Sequence, residues 1–89
     1  MAKAIDVLLL DAAAELGRKV FQPGMSPAYV LDICEDRVES IFVGCMDHIR
    51  AARRNGCEVN LVAVMTVWVE KGISPDLASR IAAETQYMQ

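Results

Sequence analysis

Two Ser-Pro pairs, Ser26-Pro27 and Ser74-Pro75, each follow a glycine by two residues and stand 48 positions apart in a chain of 89 residues. The stretches "GMSPAYVLDI" and "GISPDLASRI" therefore carry matching punctuation. Proline cannot continue a helix from within, but it fits the first turn, where its missing N–H costs nothing. A serine just before it can accept from an orphan amide, and the glycine takes backbone angles closed to other residues. Each stretch thus reads as a helix stop followed at once by a helix start. Several of the shared positions are set by capping chemistry alone, so the repeat points to common cap rules more than to an old duplication.

Between these corners the apolar spacing is helical. Ile5, Leu8, Leu9, Ala12, Ala13, Leu16 and Val20 fall on one face of a first helix. Arg18 and Lys19 close it where the macrodipole favours cations, and "QPG" stops it. After Pro27, Val30, Cys34, Val38, Ile41, Cys45, Ile49 and Ala52 keep the spacing as far as Asn55-Gly56, a C-terminal stop. One helix over that span is long against a mean of about 11–12 residues. Asp36 with Glu39 has the form of a capping box, so a break near Asp36 is expected.

The segment Glu58–Val69 is rich in β-branched residues and lacks clean alternation, so strand and helix both fit. No other segment reads as extended, and a lone strand leaves its backbone groups unpaired. Helix is therefore expected, capped by Asn60 and ended by Lys71-Gly72. Ser74-Pro75 opens the last helix, with Leu77, Ala78, Ile81 and Ala82 inward and Ile73 packing back on Ala78. The expected fold is all-α: a small bundle of four or five helices built from two helix–corner–helix units, in a single domain over residues 1–89.

The apolar residues make up 54% of this chain before glycine is counted, above the roughly 45–50% usual with glycine included. A domain this small has little interior, so the surplus is expected on a surface that another copy or another protein covers. A net charge of −3 argues against general nucleic-acid coating, and the apolar runs fall short of the roughly 18 residues of a membrane span. At the start, Asp6 and Asp11 interrupt what could otherwise pass for a signal peptide. Three widely spaced cysteines make a poor disulfide framework, consistent with a cytoplasmic protein carrying reduced thiols.

Chemistry-bearing residues are few. Cys45 and His48 share a helix face, and with Cys34 and Cys57 could form a zinc set. However, Cys34 and Cys45 lie about three turns apart on a continuous helix, so buried thiols acting as small hydrophobes are expected instead. As a nucleophile and base, Cys45 and His48 lack an orienting group and an oxyanion site, and no catalytic function, metal or cofactor is expected.

The basic run with Arg50, Arg53 and Arg54 complements a helix C-terminus, and arginine's planar fork also suits an acidic partner. Trp68, Tyr87 and Met88 are the aromatic and methionine anchors that interfaces favour, the last two unusually close to the chain end. These six residues are the candidate partner-binding set. The expected function is a non-enzymatic protein-interaction module, a regulator, adaptor or inhibitor of the kind phages and plasmids use against host enzymes, acting as a homo-oligomer. The alternative is a helix-turn-helix-like nucleic-acid binder. It is weaker, because the last helix offers only Arg80 and Gln86 for contacts and carries Asp76 and Glu84.

Overall fold

The computed structural model describes residues 4–88 and contains four helices. These are α1 (Ala4–Val20), α2 (Pro27–Arg54), α3 (Leu61–Glu70) and α4 (Pro75–Thr85). No strand occurs among the described residues, so Leu61–Glu70 resolves to helix, with the Asn60 side chain accepting from the Ala63 amide at 3.2 Å.

The expected break near Asp36 does not occur: α2 runs unbroken for 28 residues. Asp36 and Glu39 are both exposed on its outer side, and Val30, Cys34, Val38, Cys45, Met46 and Ile49 form one continuous buried stripe through the region. A capping box acts only where the helix has reason to end. Here uninterrupted burial on the other face, with neither proline nor glycine beside Asp36, keeps the helix going. At about 1.5 Å per residue α2 is some 42 Å long. It sets the long axis of a body measuring 50 × 29 × 19 Å. The radius of gyration, 13.8 Å, exceeds the roughly 12 Å of a compact domain of this length.

Close packing runs from α2 to α1, from α1 to α4 and from α4 to α3, which leaves the α2–α3 edge without comparable backbone approach. The core is filled by Trp68, Ile49, Ile73, Ile81 and Val38, with Ala12, Ala13 and Ala78 where helices come together.

The two Ser-Pro corners differ in detail. Ser26 caps α2 as expected, its oxygen accepting from the Tyr29 amide at 3.4 Å. Ser74 does not cap α4 with its side chain. Its hydroxyl donates instead to Glu15 Oε2 at 3.1 Å, and its amide donates to Glu15 Oε1. Donating to a charged carboxylate from α1 outweighs the neutral bond that the serine oxygen would accept from an α4 amide. Beside it, Lys19 donates to the Gly72 carbonyl, so α1 clamps the α3–α4 corner from two sides. Gly72 sits at φ +101°, and a β-carbon there would lie 3.3 Å from Leu16 Cδ2, so the corner needs glycine for both backbone and space.

Candidate functional site

The candidate partner-binding residues separate into different roles once folded. Trp68 is fully buried, so its ring belongs to the core and offers nothing to a docking protein. Arg53, though exposed, reaches across the end of α4, donating to the Gln86 carbonyl at 2.5 Å and to that of Met88. Gln86 is the C-cap of α4 and Met88 lies just beyond it, so one guanidinium ties the end of the helix and the residues after it to α2. Met88 is half-buried against the core, whereas Tyr87 is 78% exposed. Arg50 pairs with Asp47 at 3.6 Å on the surface, and Arg80 pairs with Asp76 at 3.9 Å. Arg50, Arg53 and Arg54 line one shallow depression with Asp47, where Arg54 alone has no hydrogen bond or ion pair among the described residues. Its surroundings are too exposed and too much occupied to hold an anion firmly.

The more developed surface was missed from sequence, although its signal was there. Between Asn60 and Glu70 the chain has no charged residue, and α3 cannot hide that much apolar side chain in one small core. Val64 and Trp68 are buried, while Val62 (67%), Val67 (38%) and Val69 (38%) remain exposed beside Ala63. Thr66, the polar residue on this outer side, donates its hydroxyl back to the Val62 carbonyl at 2.7 Å. Its polar group is thereby used up within the helix, and the face stays apolar.

Along the open α2–α3 edge runs a groove of about 420 Å³. From α2 it is walled by Ile41, Gly44, Cys45 and His48, one helical stripe; from α3 it is walled by Ala63, Val64 and Val67. Gly44 has nothing within 4 Å of where a β-carbon would stand, so α2 presents a notch there. Past Ser40, Ile41 and Lys71 the groove continues into a second depression bounded by Leu16, Ile33, Asp36 and Arg37. The cations along it are Arg37 and Lys71, against the single acid Asp36.

Cys45 and His48, the pair weighed as nucleophile and base, both line this groove. Burial pushes the Cys45 thiol above its ordinary range, which is the opposite of what an activated nucleophile needs. Among the described residues no three His, Cys, Asp or Glu side chains come together as a metal-binding group. Cys34 and Cys45 are buried and Cys57 is exposed. One thiol per chain should therefore react rapidly with a thiol-specific reagent under native conditions. The other two should react orders of magnitude more slowly, through transient opening.

The raised Cys45 pKa also has a sign in stability. The folded state holds this proton above the pH at which the unfolded chain releases it. The stabilisation is thus complete below the unfolded thiol pKa and is lost as pH climbs through the folded value. Urea unfolding at about pH 8 and about pH 10 should show a smaller alkaline loss in Cys45→Ala than in the native sequence.

No helix among the described residues is long and apolar enough to cross a membrane. No protein-family model, curated protein sequence or solved structure matches the chain.

Proposed function

We propose that this chain is a small non-enzymatic interaction module that acts by docking on another protein, with the α2–α3 groove and the outer face of α3 as its docking surface. The observation that carries this reading is the uncharged face of Val62, Ala63, Val67 and Val69 beside an open apolar groove. Exposed apolar surface of that continuity marks interaction sites in soluble proteins. The occupant that suits it is an amphipathic helix, its apolar stripe laid in the groove and its carboxylates toward Lys71 and Arg37. Regulator, adaptor and inhibitor are all served by such a surface.

Within this reading the bundle consists of two helix–corner–helix units, α1–α2 and α3–α4. Packing of α1 on α2 and of α3 on α4 supports it, as do the positive φ angles of Gly24 (93°) and Gly72 (101°) at the two corners. Arg50, Arg54 and Tyr87, all exposed, are proposed as secondary contacts.

Val67→Glu and Ala63→Glu place a carboxylate in the groove while leaving the core side of α3 intact. Affinity capture from the native cells with the original chain should retain a defined partner. Both variants should lose it by tenfold or more, while Glu70→Gln, just beyond the apolar face, keeps it. A partner retained equally by the groove variants would overturn the assignment of this surface.

A further inference from the structure

A second apolar stripe lies on α1, outside the face that meets the core. Val7, Leu10, Ala14 and Gly17 on α1, and Phe21 just past its end with its amide still donating to the Gly17 carbonyl at 2.9 Å, are spaced 3, 4, 3 and 4 residues apart, the interval of a coiled-coil seam. Val7 is 49% exposed, Leu10 55% and Phe21 44%, and Ala14 and Gly17 are half-exposed between them. From Ala14 and Gly17 to Phe21 the stripe borders a depression of about 710 Å³ whose other wall is Pro27, Val30 and Leu31 of α2. So α1 is apolar on two faces, and only one of them is used within the chain.

We infer that this stripe is a self-association seam, on which α1 of a second copy packs antiparallel about a two-fold axis near Ala14 and Gly17. In that arrangement the small pair, Ala14 over Gly17 of the other copy, lets the backbones approach closely. The large pair, Leu10 over Phe21, fills the space on either side. The flanking charges select the direction. Asp11 and Arg18 lie along the same edge of the stripe, two turns apart, and neither has an ion pair among the described residues. Antiparallel packing brings Asp11 of each copy beside Arg18 of the other, twice by symmetry. Parallel packing would instead set Arg18 opposite Ala13 and make neither contact.

The chain exposes 5912 Å², against about 5,200 Å² for a compact monomer of its mass, as expected of an elongated body whose helices keep faces uncovered.

This inference deepens the reading that the chain works in association, but it concerns a different face from the α2–α3 groove, so the two can fail separately. Sedimentation equilibrium on the purified chain, from micromolar to high-micromolar concentration, should give a mass of twice 9.8 kDa. Leu10→Glu, at an exposed position, should weaken the dimer at least tenfold while circular dichroism shows unchanged helix content. Asp11→Arg reverses the sign of both edge contacts, and should weaken it by about tenfold. The double variant Asp11→Arg/Arg18→Asp should restore it.

A chain that stays at 9.8 kDa throughout would overturn the inference. So would a dimer indifferent to Leu10→Glu, which would place self-association elsewhere, or one unmoved by Asp11→Arg, in which the edge charges of the two copies do not meet. In each case groove variants that still release a captured partner would leave the proposed docking surface standing.

Discussion

Trp68→Ala is expected to cost about 3–5 kcal/mol of folding free energy, the range for removing a fully buried large aromatic ring. At about 0.05–0.15 kcal/mol per residue, a chain of 89 residues has on the order of 4–13 kcal/mol in all, so the variant loses about a quarter or more of its stability, and at the lower end of that range it is partly unfolded without denaturant. The reason is local as well as volumetric. Trp68 and Val64 are the two buried residues of α3, a ten-residue helix that packs closely only on α4, so the ring is its main attachment to the core. The indole N–H lies buried with no hydrogen-bond partner among the described residues. Such a donor itself costs about 1–3 kcal/mol.

Trp68→Phe removes that donor together with part of the ring. The lost packing and the relieved N–H oppose one another, and the variant should stay within about 1.5 kcal/mol of the original. Urea unfolding followed by circular dichroism separates the cases. A loss below about 1 kcal/mol in Trp68→Ala would mean that the ring is not the anchor of α3.

Glu15→Ala is the second large effect, expected at about 2–3 kcal/mol. Its carboxylate accepts from both the amide and the hydroxyl of Ser74, and hydrogen bonds to charged groups contribute about 1.5–3 kcal/mol each where water is partly excluded. Losing it frees the α3–α4 corner from one of its two clamps and strips the entry to α4 of the acceptor that has drawn its serine away. Glu15→Gln keeps the shape and one good acceptor oxygen, and should fall in between. Because the two residues act as one unit, Ser74→Ala should cost markedly less in the Glu15→Ala background than alone, with a coupling of about 0.5–3 kcal/mol. Strict additivity in that cycle would refute the clamp.

Both effects show what could be read from the sequence and what could not. The four helices were legible because each announces itself locally: the face of α1 by its period, the starts of α2 and α3 by Ser26 and Asn60, their ends by Asn55-Gly56 and Lys71-Gly72. The bend expected at Asp36 was misleading because a capping box is a local signal, whereas continuity of α2 is decided by tertiary burial along Cys34, Val38 and Cys45. The partners of Glu15 and Ser74, 59 positions apart, have no local signature at all. Neither do those of Arg53, whose place in a basic run suggested an acidic partner and whose carbonyl acceptors lie 33 and 35 positions away.

The surplus of apolar residue was visible in composition, but its location was not. Trp68 and Met88, chosen as anchors for their chemistry, went wholly or half inward; Val62, Val67, Leu10 and Phe21 stayed out. Residue type predicts burial only on average. Which copies of a common residue remain outside depends on how many faces each helix can cover.

The claim on which the rest depends is that these uncovered side chains are covered when the protein works. The exposed Cys57 thiol can carry a small fluorophore, and the labelled chain can be followed at tracer level in an extract of its native cells by fluorescence-detected sedimentation velocity. The account predicts a boundary from a particle heavier than 9.8 kDa, whether a second copy or a docked protein supplies the mass. A boundary from the free 9.8 kDa chain alone would contradict it.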